Sequence, residues 1–206
     1  MRKKRKRAHV EETRYVSPLQ QSRTDRQQHT TAHSRRRQKE TMATDVDDCP
    51  FADRISPGLH LGDLRAMTAL AQAEAEEQAE WCVITVLSER DLAGLALPRH
   101  VDRHHIIRAD DDLTVDLTPE FARAHAVIAS ALARDKSVLV HCMGGISRSA
   151  TIVAAHLVLD RGIDAATALS VLRKRRRCIG PNAAFRQQLK ALAEANAASS
   201  TARATE

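Results

Sequence analysis

The segment His141-Cys142-Met143-Gly144-Gly145-Ile146-Ser147-Arg148-Ser149-Ala150-Thr151 places a thiol, a guanidinium, an imidazole, several hydroxyls and two glycines within a few residues of one another. The apolar, β-branched run Ser137-Val138-Leu139-Val140-His141 before it predicts a strand, and a helix is expected from about Ser149 to Asp160. A short turn from a strand into a helix can aim successive backbone N–H groups inward, an anion nest whose floor is the helix N-terminus. Gly144 and Gly145 let that backbone adopt positive φ or approach a ligand closely. Phosphate fits such a nest. Cys142 at its edge has its thiolate form favoured by the same dipoles and by a hydroxyl such as Ser149, which makes it a nucleophile. Arg148 at the far end can hold two oxygens of a transferring phosphoryl group.

A nucleophile and an anion clamp still need a proton donor for the leaving oxygen. Asp110-Asp111-Asp112 lies between a short strand signal at His105-Ile106-Ile107 and a helix start at Thr118-Pro119-Glu120, so an acidic loop is expected to reach over the nest. The three aspartates compete for that role. A lone cysteine is usually a small buried hydrophobe and a lone aspartate run a solvated loop. Four chemically active residue types at fixed offsets in a strand-loop-helix frame argue against both.

The elements that must hold these residues follow from periodicity. Leu59-His60-Leu61 reads as a strand ending at Gly62, and Leu64, Met67, Leu70 and Ala71 form a helical stripe. Trp81 to Leu87 is almost continuously apolar, as a buried central strand should be. Thr118 is predicted as N-cap with Pro119 at the first helical position, followed by Phe121, Ala124, Ile128 and Leu132 on one face. Gly162 is expected to end one helix and Asp164 to cap the next, and Pro181-Asn182 precedes a last helix carrying Phe185, Leu189 and Leu192. Strands alternating with helices predict an α/β fold: a central, largely parallel mixed sheet flanked by helices.

Composition limits the alternatives. The 206 residues suit one such domain with a tail, and no apolar run is long enough to span a bilayer, so no integral membrane association is expected. Residues 1–45 carry 13 Lys plus Arg against 5 Asp plus Glu, which leaves 19 against 21 for the remainder. That basic, polar stretch is expected to be disordered and to make weak polyanion contacts, and residues 198–206 are expected to be disordered as well. Met42 is a second candidate start. The cysteines Cys49, Cys82, Cys142 and Cys178 show no CxxC spacing, and reduced thiols in a cytoplasmic protein are the expectation, with a nuclear location open to a eukaryotic one.

Taken together, these residues resemble the dual-specificity phosphatases of the cysteine-based protein tyrosine phosphatase superfamily, over about residues 54–192. Ile55 to Gly62 is similar to the family's opening strand, with His60 where tyrosine is usual. Trp81 to Leu87 resembles its central strand and Ser137 to Thr151 its signature loop and helix. Ile179-Gly180-Pro181-Asn182, with Phe185 and Leu189, resembles its closing motif. Gly144 stands where alanine is commoner. The resemblance implies a catalytic domain over 52–197, with Cys142 as nucleophile, Asp111 as general acid, and Ser149 donating to the departing sulfur. It further implies phosphate held by Met143, Gly144, Gly145, Ile146, Ser147 and Arg148, and support from His141 and Asn182, the latter bracing the catalytic loop. No metal or other cofactor is needed for that chemistry. Phosphorylated proteins are the implied substrates, because the variable loop positions lack the lysines of phosphoinositide phosphatases. A non-protein phosphate monoester, or a phosphate-binding scaffold acting through its basic tail, is the alternative. Arg173-Lys174-Arg175-Arg176-Arg177 is either a second-phosphate or acidic-segment contact or a solvated helix-end cluster.

Overall fold

The computed structural model describes residues 49–204; Met1 to Asp48, where the basic-tail expectation falls, and the last two residues lie outside the described residues. Five strands, β1 (Ala52–Ser56), β2 (Leu59–Gly62), β3 (Trp81–Leu87), β4 (Arg103–Arg108) and β5 (Ser137–His141), form one sheet in the order β1-β2-β5-β3-β4. Only β1 and β2 are antiparallel, so the expected mixed, largely parallel sheet is present. The single opening strand read from Ile55 to Gly62 is instead a hairpin, turned by Pro57-Gly58 with Gly58 at φ +74°. Periodicity over so few residues does not separate one strand from two.

The helices are α1 (Leu64–Gln72), α2 (Ala75–Ala79), α3 (Glu89–Leu92), α4 (Thr118–Leu132), α5 (Arg148–Arg161), α6 (Ala165–Arg175) and α7 (Ala183–Ala204). Asp63 caps α1 by accepting from the N–H groups of Arg65 and Ala66, and Asp164 caps α6 by accepting from Thr167. Gly162 closes α5 in the left-handed conformation. At α4 the expected cap moves. Thr118 is already helical, and Asp116 two residues earlier accepts from its N–H and hydroxyl. Residues 198–204, expected to be disordered, continue α7. None of the described helices is long and apolar enough to cross a membrane.

Parallel neighbours require crossovers: the one between β4 and β5 lays α4 on the sheet face that α5 also covers, the one between β2 and β3 lays α1 on the other face, and α7 packs on α5. Phe121, Ile128, Ile152 and Phe185 fill the first core, and Met67 and Leu70 pack on Val83 and Leu139 in the second. Arg148 to Val158 are buried without interruption, and the small residues Ala150, Ala154 and Ala155 let neighbouring elements approach α5 closely. β5 lies between β2 and β3, so the chain leaving its carboxyl end enters the crevice at the sheet's topological switch point. That chain is the segment starting at Cys142.

The reduced-thiol expectation fails for half of the cysteines: Cys49 and Cys178 form a disulfide, while Cys82 and Cys142 are free. The partners are 129 residues apart, a pairing that only tertiary structure can bring together.

Candidate active site

The turn from β5 into α5 is built so that its main-chain carbonyls face outward. Met143 O accepts from Leu64 N at 3.1 Å, Ile146 O from Gly180 N at 2.9 Å, and Ser147 O from Thr151 N at 2.9 Å. Gly145 O accepts from Arg176 Nε at 2.9 Å and Gly144 O from Arg176 Nη2 at 3.4 Å. With each carbonyl tied outside, no N–H from Met143 to Arg148 donates to another protein group among the described residues. Such a run of uncommitted donors at a helix start attracts an oxyanion. Gly145, at φ +64°, has no room for a side chain, since a Cβ would lie 2.5 Å from Gly62 O. Gly144 is less restricted: a Cβ would meet the end of the Ile146 side chain at 3.2 Å.

Cys142 is buried at the start of this turn, and Ser149 Oγ donates to its Sγ at 3.1 Å. Arg148, also buried, donates from Nη1 to Ala109 O at 3.0 Å and contacts Asp91 Oδ2 at 3.4 Å. Its Nε has no partner among the described residues, an uncommitted donor on the loop's cation. Asp91, on α3 after β3, was not singled out by the sequence. A lone acid on a short helix carries no local signal of its partner.

Of the three competing aspartates, Asp111 reaches the turn. Its Oδ1 accepts from Ser147 Oγ at 2.7 Å and from Asn182 Nδ2 at 2.9 Å, which leaves Oδ2 unbonded among the described residues. Asp112 instead accepts from the N–H and hydroxyl of Thr114, contacts that hold its carboxyl below the usual range. Asn182 meets the catalytic loop through its backbone N–H, which donates to Ser147 Oγ at 3.2 Å, while its side chain serves Asp111 and caps α7 by accepting from Phe185 N.

His141 is fully buried, with Nδ1 3.4 Å from Cys142 O and Nε2 2.7 Å from Thr85 Oγ1. Burial pushes its pKa down to about 4, so the ring is neutral near neutral pH. The basic run at the end of α6 divides. Arg173, Lys174, Arg175 and Arg177 are exposed, whereas Arg176 is buried, paired with Asp53 at 2.8 Å and donating to Pro50 O. Its identical neighbours give no hint of this in the sequence. Met143 in the turn and Leu113 in the acidic loop are exposed apolar side chains. Phe121 and Phe185 are buried, Trp81 packs on His60, and exposed Phe51 lies under the Arg65 guanidinium. No group of three or more His, Cys, Asp or Glu among the described residues is placed to hold a metal.

The profile of the dual specificity phosphatase catalytic domain matches residues 66–195. Tyrosine-protein phosphatase yvh1 of Schizosaccharomyces pombe is 38% identical over 103 residues, 50% of this chain and 31% of the relative, so the chain spans about a third of that protein. Human dual specificity protein phosphatase 22 is 31% identical over 137 residues, 66% of this chain and 71% of the relative. Among solved structures, a mouse putative dual specificity phosphatase complexed with zinc tungstate superposes with a TM-score of 0.62 at 26% identity, covering 78% of this chain and 97% of that one. A match over most of the described residues, the turn that carries Cys142 and Arg148 among them, establishes that this chain belongs to the dual specificity phosphatase family.

Proposed function

We propose that the chain is a cysteine-dependent phosphatase that hydrolyses phosphotyrosine and phosphoserine or phosphothreonine in proteins, through a cysteinyl-phosphate intermediate, within a catalytic domain over 52–197. The observation that carries this reading is the Cys142 sulfur, held by Ser149 at the mouth of a turn whose carbonyls from Met143 to Ser147 are fastened outward. Tungstate, a tetrahedral oxyanion, is bound by the similar mouse protein, in keeping with such a nest.

In the first step the Cys142 thiolate attacks phosphorus in line, the S–P bond forms and the bond to the leaving oxygen breaks. The loop N–H groups and Arg148 hold the other phosphate oxygens, while Asp111, positioned by Ser147 and Asn182, protonates the leaving alkoxide or phenoxide. In the second step Asp111 takes a proton from water as it attacks phosphorus. The S–P bond breaks, inorganic phosphate leaves, and the Ser149 hydroxyl supports the returning thiolate. His141 orients the Cys142 peptide rather than moving protons.

Dual specificity follows from the aromatic residues. Phe121 and Phe185 are buried and Trp81 packs on His60, so exposed Phe51, with Arg65 over one face, is the one described aromatic ring left, too few to wall a deep phosphotyrosine slot. The exposed Arg173, Lys174, Arg175 and Arg177 suit acidic flanking sequence, and residues 1–45 suit weak polyanion contact. Turnover of p-nitrophenyl phosphate and of matched phosphotyrosine and phosphothreonine peptides tests the reading. Activity lost in Cys142→Ser is the expected result. Turnover persisting in that variant would overturn the nucleophile, and binding of phosphopeptide without turnover in the wild type would favour a scaffold.

A further inference from the structure

One polar chain runs from the surface of the sheet to the catalytic turn. Thr85 Oγ1 lies 2.8 Å from His104 Nε2 and 2.7 Å from His141 Nε2, and His141 Nδ1 faces Cys142 O. Thr85 is directly opposite His141 in the parallel register of β3 and β5. His104 is diagonal to Thr85, because β4 pairs Val83 with His104 and Thr85 with Ile106. Val83 and Leu139, two residues before Thr85 and His141, pack on α1, so all three polar side chains share that face of the sheet. Thr85 and His141 are fully buried; His104 is half-buried.

We propose that His104 is a positioning residue for Cys142: through the Thr85 hydroxyl it fixes which ring nitrogen of His141 carries the proton, and so keeps that imidazole donating to the Cys142 carbonyl. This rests on Cys142 being the nucleophile proposed above.

The proton count is what makes the chain directional. A carbonyl only accepts, so His141 Nδ1 must carry its ring proton to meet Cys142 O. The ring is neutral, which leaves Nε2 as an acceptor. The single hydroxyl proton of Thr85 is therefore donated to His141, and the Thr85 oxygen is left to accept. His104 Nε2–H supplies the donor. If the Thr85 proton turned toward His104, the oxygen would face His141 Nε2, the ring would favour its other tautomer, and the Cys142 carbonyl would lose its donor. The titratable neighbours act in opposite senses: His105, next along β4, disfavours a charge on His104, His104 in turn disfavours one on His141, and Asp63 at the start of α1 favours one there. Burial prevails at both rings, holding each below the ordinary imidazole value.

Iodoacetate alkylation of Cys142 against pH tests the chain. It reads one thiol, because the Cys82 pKa is raised to about 11 and the remaining two cysteines are disulfide-bonded. His104→Leu and Thr85→Val are expected to move the alkylation midpoint upward by roughly half a pH unit or more, and to lower kcat/KM for p-nitrophenyl phosphate at least about threefold on the acid limb. His104→Gln, whose amide N–H can still donate to Thr85, should restore the midpoint. An unmoved midpoint in folded His104→Leu overturns the inference. So does an equal shift in the Leu and Gln variants, which would trace the effect to the ring and not to its N–H. Alkylation needs no substrate, so absence of turnover in the wild type would count against the phosphatase reading alone.

Discussion

The Asn182 side-chain amide donates to Asp111 Oδ1 at 2.9 Å, tying the residue before α7 to the acidic loop after β4. Ser147 Oγ donates to the same oxygen, so one carboxylate is held from the catalytic turn and from the closing motif at once. Asp111→Asn is expected to lower kcat by roughly 100-fold or more and to flatten the basic limb of the pH profile. Asn182→Ala should reproduce part of that loss, about tenfold, by freeing the loop. Asp112→Asn should do neither, because Asp112 is turned to Thr114. A larger loss in Asp112→Asn than in Asp111→Asn would reassign the acid.

Ser149 stands 3.1 Å from the Cys142 sulfur, where it supports the thiolate as leaving group in the second step. Ser149→Ala should slow breakdown of the cysteinyl phosphate more than its formation. Rapid-mixing kinetics with an aryl phosphate should then show a burst of phenol followed by slow turnover. Equal slowing of both phases would place the hydroxyl's role elsewhere.

Arg176 connects the turn to the start of the sheet through Gly145 O, Gly144 O, Pro50 O and Asp53. Asp53 is only part-buried, so Arg176→Met chiefly leaves the carbonyls that Arg176 serves without their donor, at a cost of about 1–3 kcal/mol in urea unfolding. Arg176→Lys should recover only part, since an ammonium cannot meet the same acceptors in a planar fork. A neutral effect on unfolding in both variants would show that the brace contributes nothing.

The Cys49 to Cys178 disulfide closes a long loop. In the chain-entropy account, removing a typical disulfide costs about 2–4 kcal/mol, so Cys49→Ser should lower stability by that order under non-reducing conditions and by little in dithiothreitol. Thiol titration of the unfolded, unreduced chain should find two reactive groups, Cys82 and Cys142. Four would show the bond to be absent in solution.

His156, buried against His125 with its Nδ1 3.0 Å from that ring's Nδ1, has its pKa pushed down to about 4, first by burial and then by the neighbouring imidazole. His141 is pushed down similarly by burial. Both are neutral in the fold, whereas the unfolded chain takes up protons below an ordinary imidazole value of about 6.5. Their stabilising contribution is therefore complete above about pH 6.5 and is lost as pH falls toward 4. Urea midpoints should decline across that window, and His156→Gln should make the decline shallower. An unchanged profile in His156→Gln would mean that His156 titrates normally.

Chemistry that lies within one continuous stretch was legible in the sequence, because strand, glycine-bearing turn and helix are set by neighbouring residues. Cys142, Ser149 and Arg148 could thus be placed together, and Asp164 and Gly162 could be read as helix punctuation. Asp111 was separable from Asp110 and Asp112 only through family resemblance, since identical side chains in one loop have no local distinction. Tertiary structure alone decided which of five adjacent basic residues is buried, and that Asp91 meets Arg148. It also decided that Cys49 pairs with Cys178 and that Thr85 joins His104 to His141. In each case the partners lie far apart in sequence. Packing between elements brings them together, and composition and periodicity along the chain carry no record of that meeting.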